Sequence, residues 1–203
     1  MDLLVSLTLI AISAYMIKAR DQKRRIVLLG SYLEKYQLEK LMESLSQGYQ
    51  RALGETDPER RAQIWNLSTP TELALSEQFN RFVADFAKVS EPESRISRLA
   101  IAIPYADKLF PAAAFDARKV LAIHGKGIAK AVSLDHLGDQ ATKDRAYTLS
   151  AEMLLMQHTC HWFCRSKTLA SARMLGRHKT TYTQLLASVA PETRKAYCAV
   201  VGN

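Results

Sequence analysis

The sequence predicts an all-α protein, an N-terminal single transmembrane helix leading into a cytosolic multi-helix bundle. Three observations carry that expectation. Residues 3–17 are uncharged and mostly apolar, and Lys18, Arg20, Lys23, Arg24 and Arg25 follow at once. Through most of the remaining chain apolar residues recur at spacings of three and four, the period of an amphipathic helix, and no alternating stretch competes. Hydrophobic residues at 48% and charged residues at 24% are typical of a folded globular chain. The expected division is residues 1–20 as a membrane anchor and residues 21–203 as one helical domain, long enough to bury a sizeable core.

The opening run is short for a span. Fifteen residues at about 1.5 Å each cover roughly 22 Å, against a hydrocarbon core of roughly 30 Å. Spanning therefore asks Tyr15 and the Lys18 stem to sit at the interface and the bilayer to thin locally. Ser6, Thr8 and Ser13 do not gather on one stripe, so the run is apolar all round, as a lipid-facing helix is. Two alternatives are a buried N-terminal helix of a soluble bundle and a cleaved signal peptide. The second fits poorly, because a signal carries its basic residues before the apolar core and Asp2 is the only early charge here. Lys and Arg resist translocation, which puts the N-terminus outside an inner or plasma membrane and the remaining chain in the cytoplasm.

Three cysteines, an odd number, agree with a reducing compartment and argue against a disulfide framework. The net charge of +8 invites a nucleic-acid reading. Residues 18–25, however, hold five positive and one negative charge, a net +4, so half the excess lies beside the anionic leaflet.

The elements follow in order. Apolar periodicity over 21–53 predicts one helix that continues the anchor as a single rod, with Gly54 as its stop. Asp57 and Pro58 mark the next start, as cap and first-turn proline, and Ser68, Thr69 and Pro70 repeat the device. The helix after it, to about residue 89, carries Leu73, Leu75, Phe79, Phe82, Val83 and Phe86 on a broad inner face. Residues 90–97 read as a polar connector with Pro92. The apolar run 99–103, closed by Pro104, reads as an extended crossover, since a strand needs a partner. Pro111 is expected to open a helix to about residue 132, and Asp135, Gly138 and Asp139 make 133–140 a loop. A long helix over 141–175 should end at Gly176, and two short helices, near 180–189 and 191–201, complete the chain.

The densest set of reactive side chains is His158, Cys160, His161 and Cys164. On a helix Cys160 and Cys164 lie within about 40° of each other and His161 within about 60° of Cys164, so one face could offer two thiolates and an imidazole. Such donors suit zinc or iron, with a further ligand from His124 or His136. Against this stands packing: Leu149, Met153, Met156, Cys160 and Phe163 form a row at spacings of three and four, where free cysteine serves as a small core residue. Arg165 beside Cys164 could favour a thiolate, although neighbours in sequence diverge on a helix.

Other motifs carry less. Ser133, Asp135 and His136 are adjacent without forming a triad and read as a polar turn. His124 to Gly127 lacks the glycine spacing and Lys-Ser/Thr ending of a phosphate loop, so two small residues on a packed helix explain it better. Glu39 and Glu43 alternate with Lys35 and Lys40 as a solvated face does, and no Glu-x-x-His pair exists for a bundle metal centre. Residues 140–203 hold nine Lys or Arg against three Asp or Glu. Base-stacking aromatics are missing between Arg165 and Lys179, so nucleic acid is disfavoured. Anionic lipid is the better partner for Lys18, Arg20, Lys23, Arg24, Arg25, Arg173, Arg177 and Lys179. With no identifiable catalytic set, the expected role is a membrane-anchored, cytosol-facing adaptor or regulatory interaction protein with an unidentified protein partner. A metal- or thiol-dependent activity and anion binding by the basic C-terminal stretch are the alternatives.

Overall fold

The computed structural model describes residues 2–133 and 139–202, and 83% of it is helical. The first helix, α1 (Asp2–Leu33), has two different halves. Every position from residue 3 to residue 20 is exposed, including Leu3 at 75% and Ile10 at 65%. From Asp21 onward the same helix packs: Leu29 is buried, and Leu28, Tyr32 and Leu33 lie against the core. By length and composition α1 can cross a membrane.

The rod expected over 21–53 is interrupted. Helix α1 stops at Leu33 and α2 (Leu38–Gly54) begins after a tight turn without glycine or proline. Tertiary contacts make the break. The Tyr36 hydroxyl donates to Asp85 at 2.8 Å, its ring meets Phe82 edge-on, and the Gln37 amide donates to the Gln78 side chain at 2.8 Å.

Helix α3 (Pro58–Phe86) opens where expected, with the Asp57 carboxylate accepting from the Glu59 amide at 2.9 Å and Pro58 in the first turn. The second start at Ser68–Pro70 does not occur: α3 runs straight through Pro70. The row Trp65, Ser68, Glu72, Leu75, Phe79, Phe82 and Phe86 is buried on both sides of it, and that continuous face outweighs the backbone hydrogen bond the exposed proline omits. Leu73, expected inside, is 57% exposed.

The middle holds a feature missed by helical periodicity. After a short helix, α4 (Glu91–Ser94), strand β1 (Arg95–Ser97) pairs antiparallel with β2 (Ala114–Asp116), Ile96 opposite Phe115. Between them lie the 99–103 run, irregular with bends at 99–101 and not the extended crossover expected, and α5 (Ala106–Leu109). Pro111 starts only a single 3₁₀ turn, and α6 (Ala117–Ser133) begins six residues later than expected. Asp116 is the local reason, because its carboxylate accepts from the Arg118 amide at 2.9 Å and closes the helix start. Most of the expected loop at 133–140, with Asp135 and His136, lies outside the described residues.

The expected 141–175 helix is two. Helix α7 (Asp139–Cys164) ends before Ser166, whose hydroxyl accepts from the Leu169 amide at 3.3 Å and opens α8 (Lys167–His178). Gly176 lies inside α8, and the left-handed residue that ends it is Lys179, at φ 53°. Then come α9 (Tyr182–Ser188), with a Thr181–Gln184 capping box, and α10 (Pro191–Val201), both near their expected bounds. Helix α7 runs through the centre, contacting α1, α2, α6, α8 and α9. Gly125 and Gly127 allow close approach: a Cβ would stand 2.9 Å from the Asn80 side chain at the first and 2.5 Å from Glu152 and Thr193 at the second.

Candidate functional site

The His158–Cys164 cluster sits at the C-terminal end of α7, and its members take separate jobs. His158 is fully buried, with Nε2 3.0 Å from the Ser171 hydroxyl, its ring stacked on Tyr182 at 4.6 Å and edge-on to Trp162. Burial, with the nearby Lys167 charge, holds its pKa down at about 4. Cys160 is half-buried against Met156, 3.9 Å between sulfurs. Burial pushes the Cys160 thiol up to about 12 and the Cys164 thiol up to about 11, so both stay protonated at neutral pH. Arg165 pulls the Cys164 value down without reversing it. Burial, then the charges of Arg173 and Arg177, lowers His161. Among the described residues no three His, Cys, Asp or Glu side chains converge as a metal site requires, and His124 Nε2 is taken by the Thr159 hydroxyl. His136 lies outside them.

The basic collar divides. Lys18, Arg20 and Lys23 are exposed on α1, and Arg24 makes an exposed pair with Glu93 at 3.8 Å. Arg25 turns inward. It donates to the Arg95 carbonyl and the Asp107 carboxylate, each at 2.7 Å, and lies 5.5 Å from the centre of the Phe163 ring. Asp21, 3.5 Å from Arg25, also accepts from the Tyr105 amide. This knot fastens the base of the exposed half-helix to the 95–107 segment and to α7. Arg173, Arg177 and Lys179 are exposed on and just after α8.

Two buried polar clusters have no counterpart in the sequence reading. Between α2, α3 and α7, fully buried Glu72 pairs with Arg145 through one oxygen and accepts from the Tyr49 hydroxyl at 2.5 Å through the other. Burial, then the Glu72 charge, raises the Tyr49 pKa far above its usual value. Between α6, α7 and the last helices, His124 Nε2 lies 2.8 Å from the Thr159 hydroxyl, its ring packs at 5.5 Å on Tyr197, and Tyr197 meets Tyr182 at 3.4 Å. Burial and the nearby His158 hold His124 at about 3. Glu152, also buried, accepts from the Ala190 amide at 3.1 Å just ahead of α10, and burial raises its pKa.

A cleft of about 260 Å³ opens between the first half of α3 and the first turns of α7. Trp65 and Arg145 line it, only 5% and 3% exposed, and their indole Nε1 and guanidinium Nε have no hydrogen-bond partner among the described residues. Pro58 and Ala62 give it apolar wall; Arg61, already held by Asp139 at 3.0 Å and the Glu55 carbonyl at 3.1 Å, stands at its edge. A second groove, of only about 30 Å³, lies at the base of α1 and is lined by Lys18, Arg25 and Ile101 among others.

No family model matches the chain, and the searches of curated proteins and of solved structures find no match either.

Proposed function

We propose that this protein is a single-pass, membrane-anchored, cytosol-facing helical adaptor or regulatory interaction protein, with α1 serving as both anchor and stalk. One observation carries the reading: residues 3–17 expose Leu, Ile, Val and Met on every side of a helix that the rest of the fold leaves uncovered. Apolar surface of that extent costs free energy in water, about 25 cal/mol for each Å², and a bilayer removes the cost. The continuity of α1 with its packed half gives the anchor a direct mechanical link to the bundle. Lys18, Arg20 and Lys23 suit the anionic face of an inner or plasma membrane at that height, and Ile101, 65% exposed on the groove it shares with Lys18, offers apolar contact beside them.

The test is fractionation of cells expressing the full chain with a C-terminal reporter. An anchored protein stays with membranes in alkaline carbonate and high salt, keeps its N-terminal residues on sequencing, and shields the reporter from protease added outside intact cells. Release by carbonate overturns the anchor; loss of the first twenty or so residues makes α1 a signal peptide; reporter cleavage from outside reverses the orientation.

A further inference from the structure

We infer that the cleft between α3 and α7 is a binding site for a small monocarboxylate with a compact apolar body. The argument begins with unmet donors. An N–H buried without a partner loses its hydration and gains nothing, and native folds leave few such groups. Trp65 Nε1 and Arg145 Nε are two on the lining of one cavity. Cavity and donors together are what an acceptor-bearing ligand requires, and the two are independent of the membrane reading.

Charge and size select the ligand. The cleft's charged groups and their partners are three cations, Arg61, Arg145 and Lys143, against two carboxylates, Glu72 and Asp139, so the balance has room for one negative charge but not for two. Asp139 on the wall repels a dianion such as phosphate. A carboxylate offers two acceptor oxygens in a plane, the shape a guanidinium edge meets best. The apolar remainder has Pro58, Ala62 and the Trp65 ring to lie against. A volume of about 260 Å³ is at the small end for ligand pockets, which limits that remainder to about the size of one ring.

The chain has two tryptophans, Trp65 and Trp162, so an amide correlation spectrum of the ¹⁵N-labelled full chain in a neutral sugar detergent shows two indole signals. Trp162 Nε1 donates to the Ser97 carbonyl at 2.9 Å and serves as internal control; Trp65→Phe assigns the pair. The probes are benzoate and inorganic phosphate, each to about 10 mM, a range that detects millimolar binding. Benzoate should move the Trp65 indole signal saturably, leave the Trp162 signal in place, and outcompete phosphate. Ala62→Leu, which fills the cleft from an exposed position, should weaken benzoate at least about tenfold, with Asn66→Leu as the second filling variant should the first not fold. A Trp65 signal that stays still, one that moves with phosphate alone, one that moves together with Trp162, or one that responds equally in a folded cleft-filling variant overturns the assignment.

Discussion

The two buried polar clusters solve the same problem in different ways. Glu72, Arg145 and Tyr49 place full charges in the interior between α2, α3 and α7. His124 with Thr159, and His158 with Ser171, keep the opposite end of α7 polar but neutral. The difference is one of what happens when a partner or a proton is changed. A charged pair is intolerant of losing either member. A neutral imidazole tolerates a lost hydrogen bond better, but acid turns it into a buried charge.

The largest expected effect breaks the charged cluster. Glu72→Leu leaves Arg145 buried and unpaired and should cost about 3 to 5 kcal/mol in denaturant unfolding, while Glu72→Leu with Arg145→Met should recover much of that loss. A double variant as damaged as the single one would mean that Arg145 is needed for something besides pairing.

Acid sharpens the contrast. His124 at about 3 and His158 at about 4 lie below the ordinary 6.5, so between those values the unfolded chain binds more protons than the folded one. Their contribution is complete above about pH 6.5 and falls as pH drops toward 4 and then 3, by about 1.4 kcal/mol per unit for each group. Glu152, its pKa raised by burial, works in the opposite sense, gaining on protonation. The comparison of His124→Asn with the parent isolates the imidazole: the variant should show a shallower stability loss between pH 6.5 and 4, and parallel curves would count against a neutral buried His124.

Two smaller losses complete the series. Tyr49→Phe removes a hydrogen bond to a charged acceptor and should cost about 1.5 to 3 kcal/mol; Thr159→Val removes the bond with neutral His124, along with a back-bond to the Leu155 carbonyl that adds little within a helix, and should cost about 0.5 to 1.5 kcal/mol. Thermal unfolding of both variants at neutral pH gives the order, and a larger loss at Thr159 would reverse the assignment of the clusters.

Local signals made some elements legible from residues alone. Asp57 with Pro58, Thr181 with Gln184, and Pro191 state helix starts in the side chains themselves, and the structure places starts there. Nothing local announces the break at residues 34–37, which depends on Asp85 and Gln78 about forty to fifty positions away. Pro70 gave the reverse error, a strong local stop overruled by a continuous buried face. Strand β1 lay inside the stretch read as a polar connector, and its partner, Ala114–Asp116, inside the helix expected from Pro111. The Glu72–Arg145 pair, 73 positions apart, offers no motif. It did leave a trace: each charge falls on the buried period of its helix, Glu72 between Ser68 and Leu75, Arg145 between Thr142 and Leu149. For the cysteine and histidine cluster, spacing on one helix shows a shared face and not what that face meets.

The unbroken course of α1 through Leu33 has one more implication. At about 1.5 Å per residue its 32 residues form a bar of roughly 48 Å with no swivel between the uncovered and covered parts. The Arg25 clasp sits about three quarters of the way along, the fulcrum of a lever whose outer arm is the longer one. Tilting the outer arm must therefore swing Leu29 and Tyr32 against Phe86 and the interior behind it, so whatever grips the first twenty residues also steers the bundle.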